Sequence, residues 1–122
     1  MYKHFSFGGI VMAIDTLMRY LEESNKKMNI QFRQGFINKA TISSHEIIDN
    51  NLLSIHIHEG HLIKIDISNF KRICFDSVVY DATNNEEMKL CLEYLRSFKR
   101  FNAYLQDENG NYILYLLFIS DK

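Results

Sequence analysis

Strict alternation of apolar and polar residues marks residues 53–67, which read LSIHIHEGHLIKIDI. Successive side chains of a β-strand point to opposite sides, so the isoleucines of this segment share one face. Exposing such an aliphatic side chain would forfeit about 1.5 to 3 kcal/mol. The pattern therefore predicts two antiparallel strands with one buried face, paired so that the isoleucines stay together.

The register of these strands also decides whether the histidines converge, because three of the chain's five histidines lie in residues 56–61. A loop at residues 58–60, with its glycine in the left-handed position of a G1 bulge, pairs Ile55 with Ile63. Moving the loop on by one residue pairs Ile57 with Ile63 instead. Neither register brings all three imidazole rings together.

A different histidine trio suits a metal site better. If Asn50-Asn51 is the two-residue turn of the preceding hairpin, His45 lies opposite His56, with His58 on the same polar face. Three imidazoles around an open fourth position would match a catalytic zinc site. Lys64, expected beside His56, opposes a bound cation. His45, His56 and His58 are therefore the residues of one alternative, a small metal-dependent enzyme or metal sensor.

Two segments outside the strands predict helices. From Ile14 to Leu21 the apolar residues recur at helical spacing, and Glu-to-Lys pairs four residues apart extend this helix to about Lys27. The second helix follows Thr83 and Asn84, each of which precedes a glutamate by three residues, as in a capping box. Basic residues fill its last turn, where they complement the helix dipole.

The remaining segments complete a sheet. Residues 30–67 predict a β-meander, residues 68–82 one or two short strands, and residues 102–120 a hairpin in which Asn109-Gly110 fits a type I′ turn. The apolar second strand of that hairpin is expected near the centre of the sheet. Residues 1–122 thus predict a single α+β domain: an antiparallel sheet of about five to seven strands with two amphipathic helices against one face.

Residues 1–11 allow two interpretations. Gly8-Gly9 could be encoded by a GGAGG ribosome-binding sequence, and Met12 stands at a suitable spacing to be the natural start. On that hypothesis the segment is a translated leader. The alternative is a short strand added to the edge of the sheet.

Charge and hydropathy restrict the partners and the compartment. Fourteen Lys and Arg against fifteen Asp and Glu give a net charge of −1, so no global positive field attracts nucleic acid or an anionic membrane. The longest apolar run, residues 112–120, is well short of the roughly 20 residues of a membrane helix. Cys74 and Cys91 form no CxxC pair and no secretory signal is evident, which favours reduced thiols in a cytoplasm.

A local patch of basic and aromatic residues is the weaker, nucleic-acid alternative. The tripeptide Phe-Lys-Arg occurs twice, and aromatic side chains beside cations are able to hold phosphate and stack bases. The basic residues of this candidate patch are Lys71, Arg72, Arg96, Lys99 and Arg100.

The first functional hypothesis is a non-enzymatic protein-interaction module of bacterial or phage type, acting as a chaperone, immunity protein or inhibitor. The sequence contains no GxSxG, P-loop, GxGxxG or HExxH motif, and it implies no cofactor apart from zinc in the histidine alternative. A protein partner is expected, and a homodimer is compatible with the sequence. The candidate partner-binding residues are His56, His58, Lys64, Asp66 and His45.

The order helix, antiparallel strands, helix and two-strand hairpin resembles the topology of type III secretion chaperones. The resemblance covers element order along most of the chain and rests on no residue motif. It implies a small cytoplasmic protein that binds a partner chain. The final helix usual in those chaperones is missing, which puts their shared dimer surface in doubt here.

Overall fold

The computed structural model describes residues 3–97 and 102–121, with side chains for residues 11–97 and 102–119. This part of the chain contains two helices and eight strands: α1 Lys3–Ser24, β1 Lys26–Phe32, β2 Gly35–Ile48, β3 Leu52–Ile57, β4 Leu62–Asp66, β5 Arg72–Phe75, β6 Val78–Asp81, α2 Asn85–Ser97, β7 Asn102–Gln106 and β8 Tyr112–Asp121.

The strands form one antiparallel sheet in the order β4-β3-β2-β1-β8-β7-β5-β6. The α+β prediction is confirmed, with one strand more than the upper end of the predicted range. The meander occupies one half of the sheet. Residues 68–82, predicted to hold one or two short strands, contain β5 and β6, and β8 takes the central place predicted for it. The helix α1 packs on β2, α2 packs on β6, and the two helices contact each other.

The helix α1 begins earlier and ends earlier than predicted. It starts at Lys3, so the interpretation of residues 1–11 as an edge strand is wrong, while the leader hypothesis stays a prediction. It ends at Ser24 because Asn25 takes a left-handed conformation, φ 55°, and donates its N–H to the Leu21 carbonyl. The predicted extension to Lys27 is wrong, since that residue lies in β1.

The long strand β2 curls the sheet. Its first half pairs with β1 and its second half with β3, and the register shifts once in each half. Lys39, with φ 55°, lies at the first irregularity, and Ser43 at the second. The curl brings β4 into contact with β8, and the apolar core fills the space between the sheet and the helices.

The connection from β3 to β4 is the first of the two predicted loops. The Ile57 N–H donates to the His61 carbonyl at 2.9 Å, and Gly60 takes φ +96°. Ile55 therefore lies opposite Ile63, and both side chains are fully or nearly fully buried. The register that buries the isoleucines requires a left-handed residue at position 60, and glycine adopts that conformation at little cost.

The turn of the last hairpin differs from its prediction. Gly110 has φ +83°, but Asn109 does not share the positive φ that a type I′ turn requires. The loop instead repeats the β3–β4 geometry, with the Asp107 N–H donating to the Asn111 carbonyl at 3.0 Å. The Asp107 carboxylate accepts from the N–H groups of Asn109 and Asn111, which favours this wider loop.

Half of the predicted capping box opens α2. Asn84 Oδ1 accepts from the Glu87 N–H at 3.1 Å, so Asn84 is the N-cap. The Glu87 side chain does not accept a hydrogen bond from the Asn84 N–H, as it would in a complete capping box. Its Oε1 accepts from the Asp81 N–H at 2.9 Å and so ties the helix to the end of β6.

Candidate functional site on the outer face of the sheet

The predicted histidine trio does not assemble. Three residues, 49–51, connect β2 to β3, with Asp49 and Asn50 both left-handed at φ 53° and 61°. His45 therefore lies opposite Ile55, on the helix-facing side of the sheet, and the predicted pairing with His56 is wrong. One additional turn residue moves the imidazole to the other face, because side chains alternate along a strand.

His45 instead joins β2 to α1. Its Nε2 lies 2.7 Å from Asp15 Oδ1, and its Nδ1 contacts Glu22 Oε2. The side chain is only 7% exposed, and Arg19 also binds the Asp15 carboxylate, at 2.9 Å. Both ring nitrogens lie against carboxylates, so neither nitrogen is directed toward a metal ion. The cluster is a clamp between helix and sheet.

Metal ligation finds no support elsewhere in the described residues. They contain no group of three or more His, Cys, Asp or Glu side chains arranged to hold an ion. His56 and His58 are exposed, and His61 lies opposite Ile57 at the end of the hairpin. Burial raises the pKa of the Cys91 thiol to about 12, which makes it a poor nucleophile.

The candidate partner-binding residues divide between two faces. His56, Lys64 and Asp66 are exposed on the outer face, away from the helices. His58 lies in the loop after β3, where its N–H donates to the Thr41 carbonyl at 2.9 Å. His45 faces the helices and is not available to the same partner.

One cross-strand row runs across the outer face of the sheet. Six neighbouring strands, from β2 to β6, each contribute one residue, because the register aligns them directly. In spatial order the row is Phe36, Gln31, Tyr115, Tyr104, Cys74 and Val79. On β1, β8, β7 and β5 the residues that flank the row are buried or partly buried in the core, so the row lies on the side that the helices leave uncovered.

Three tyrosines form the centre of this surface. The ring centroids of Tyr104 and Tyr115 are 4.3 Å apart, and those of Tyr104 and Tyr112 are 4.9 Å apart. A hydrogen bond with Tyr115, together with burial and the neighbouring phenols, raises the pKa of Tyr104 to about 12. The cluster is therefore a neutral, mutually packed aromatic group.

We call this surface the tyrosine face and define it by its aromatic and aliphatic members, Phe36, Val79, Tyr104, Tyr112 and Tyr115. Phe36, Val79 and Tyr112 are 54%, 56% and 53% exposed, so these side chains are open to contact by another molecule. Amides occupy the polar positions around it: Asn29, Gln31, Asn102 and Gln106.

Charged residues lie at the border of the tyrosine face. Arg72 is opposite Gln106 on one side and Asp81 on the other. Hydrogen bonds from the Thr83 hydroxyl and N–H lower the pKa of Asp81, and the positive charges of Arg72 and Lys71 lower it further. This carboxylate offsets part of the predicted basic patch. Arg96 is exposed on α2.

Two members of that patch, Lys99 and Arg100, lie outside the described residues. The sequence pattern did contain a signal for the tyrosine face. Tyr115 stands between Leu114 and Leu116, and Tyr104 between Ala103 and Leu105, which assigns both phenols to the non-core side of their strands.

Comparisons with protein-family models, curated proteins and solved structures found no match. The likeness in element order to type III secretion chaperones therefore stays a prediction. In the described ranges, neither helix has the length and apolar character needed to cross a membrane.

Proposed function

We propose that this protein is a non-enzymatic binding protein that holds a partner protein on its tyrosine face. The observation that carries the proposal is the row of large side chains across six strands, left uncovered by either helix. Tyrosine and phenylalanine are enriched at protein interfaces, since they bury much area with few rotatable bonds. A chaperone, an immunity protein and an inhibitor would each use such a surface.

The composition around the tyrosines supports a protein partner. Uncharged amides lie beside the aromatic rings, and charged residues lie at the border, with Arg72 and Asp81 at one end and Arg33 and Asp107 beside Tyr112. Antibody binding sites combine the same elements, rigid aromatic anchors with adaptable hydrogen-bonding groups. Charged residues are also depleted from the centres of protein interfaces.

A nucleic-acid partner is less well supported by the same geometry. The rings of Tyr104 and Tyr115 stack on each other at 4.3 Å, so these faces are not open to a base. Asp81 lies beside Arg72, which weakens the local attraction for phosphate. The net charge of −1 supplies no compensating field.

Substitutions on exposed residues test the proposal without disturbing the core. Tyr112→Asp and Val79→Asp each place a charge on the tyrosine face, and Leu90→Asp is the matched control on α2, where the side chain is 59% exposed. Each variant is used to capture partners from the cytoplasm of the source cells, with quantification by mass spectrometry. We expect one stoichiometric partner with the wild type and Leu90→Asp, and at least a tenfold loss with the other two.

A partner retained equally by all four proteins would refute the tyrosine face as its binding surface. A protein that captures no stoichiometric partner would refute the binding function. Circular dichroism of each variant verifies that the sheet is intact.

A further inference from the structure

The two edges of the sheet differ in how their backbone groups are occupied. At the β6 edge, the Asp81 N–H donates to Glu87 Oε1 at 2.9 Å, and the Asp81 carbonyl accepts from the Asn84 N–H at 3.1 Å. The start of α2 thereby occupies the outward-facing backbone groups of Asp81, at one end of that edge. Occupied groups at this end hinder a further strand from pairing there.

The β4 edge has a definite orientation. The Ile57 N–H donates to the His61 carbonyl, and the Ile67 N–H donates to the Asn51 carbonyl, both at 2.9 Å. Backbone groups of an antiparallel strand point alternately toward and away from its neighbour. The odd-numbered residues of β4 therefore face β3.

The even-numbered residues of β4 direct their N–H and carbonyl groups away from the sheet. They are Leu62, Lys64 and Asp66. Among the described residues, no strand pairs with this side of β4 and these backbone groups make no hydrogen bond, while Ile65 and Asp66 share a pocket with Tyr112 and Ile113 of β8. Leu62 is also 52% exposed. This edge thus offers a short template for a further strand.

We propose that the β4 edge pairs with the β4 edge of a second copy of the chain, antiparallel about a two-fold axis through Ile65. In this register Lys64 of each copy lies directly beside Asp66 of the other, and their backbone groups exchange hydrogen bonds. Two opposite-charge pairs form per dimer. The chain's own charge pattern is therefore complementary to itself.

The charges also select this register over its neighbour. Centring the axis on Lys64 would allow more backbone hydrogen bonds, but it would place the two Lys64 side chains against each other, and like charges directly opposite are destabilising. A lysine on an edge strand usually prevents pairing. Asp66, two residues further on, reverses that effect. Hydrogen bonds from the Ser68 hydroxyl and N–H lower the pKa of Asp66 and keep it ionised.

Charge reversal tests the pairing directly. Lys64→Glu and Asp66→Lys each replace two attractions by two repulsions, which should raise the dimer dissociation constant at least about tenfold. Lys89→Glu, on the exposed side of α2, is the control with the same charge change. Sedimentation equilibrium of the full chain at several concentrations measures each constant.

Mixing the two weakened variants provides the rescue. One chain then presents two acidic side chains at the edge and the other two basic ones, so the mixed dimer should form with a dissociation constant close to that of the wild type. Asp66→Lys also removes the carboxylate that accepts hydrogen bonds from Ser68. Rescue by mixing therefore also shows that this variant is folded. A wild type that stays monomeric at millimolar concentration, a dimer unaffected by Lys64→Glu, or a mixture without rescue would overturn the proposal.

Discussion

The imidazole of His45 on β2 is held against the carboxylate of Asp15 on α1, with 2.7 Å between Nε2 and Oδ1. Glu22, two turns further along the helix, contacts the other ring nitrogen. One side chain thus connects the helix to the curled half of the sheet, and its removal affects the packing of both.

Replacing His45 by Phe should lower the free energy of unfolding by about 1 to 3 kcal/mol, because the imidazole no longer contacts the two carboxylates. Glu22 loses this partner, whereas Asp15 keeps its ion pair with Arg19. The range extends down to about 1 kcal/mol because solvent weakens the contact with Asp15, whose side chain is 36% exposed. Urea unfolding followed by circular dichroism measures the change. His56→Phe, at an exposed position, is the control, and equal losses in both variants would contradict the clamp.

Replacing Gly60 by Ala should cost about 1 to 2 kcal/mol, since φ +96° is unfavourable for a residue with a Cβ atom. The added methyl group meets nothing within 4 Å, so the cost arises from the backbone alone. Gly60→Asn is the comparison, because asparagine tolerates left-handed conformations better. Unfolding in urea should rank wild type above Asn and Asn above Ala, and a neutral alanine variant would argue against the G1-bulge loop.

Raising the pH should destabilise the protein through Tyr104. Its pKa is about 12 in the folded chain and 10.0 for the free group, so folding favours the neutral phenol. The stability gained from this preference is complete below pH 10 and is lost as the pH rises toward 12. Absorbance at 295 nm follows phenol ionisation, and Tyr104→Phe should remove a late-titrating group and reduce the alkaline loss.

Tyr20→Phe, a substitution on α1 outside the tyrosine face, is the control for that titration. It removes one phenol without altering the stacked rings, so the comparison isolates Tyr104. If Tyr104→Phe leaves the late phase unchanged, the stacked cluster does not have the geometry described.

Lowering the pH should act through Asp81. Hydrogen bonds from Thr83 lower the pKa of Asp81 below 3.8, so its ionised form stabilises the folded state above that pH. This contribution is lost as the pH falls below 3.8 through the folded-state pKa. Asp81→Asn keeps an acceptor oxygen but cannot titrate. Its urea unfolding midpoint should therefore depend less steeply on pH than that of the wild type between pH 5 and pH 2, roughly.

Asp49→Asn, an exposed change in the β2–β3 connection, is the matched control. A pH dependence equally steep for the wild type and both variants would show that Asp81 contributes nothing to acid unfolding.

Local patterns determined much of the fold, because they act between residues close in sequence. The alternating isoleucines restricted β3 and β4 to two registers, one of which the structure has, and the start of α2 was restricted to Thr83 or Asn84, of which Asn84 is the cap. The same local reasoning failed where one pattern allows two structures. The spacing of glutamate and lysine predicted that α1 extends to Lys27. That residue instead belongs to β1, and its Nζ lies 3.9 Å from Glu59 Oε2.

The sequence by itself determined which side chains are apolar, which strands are adjacent hairpin partners, and that the phenols of Tyr104 and Tyr115 lie on the side of their strands away from the core. Only the tertiary structure decided what meets across those elements. One residue in the β2–β3 connection put His45 against Asp15 instead of His56, and six strands had to align before the tyrosine face existed. Such contacts depend on registers summed over several strand pairs, and a single-residue change in any turn reverses the face that a side chain occupies.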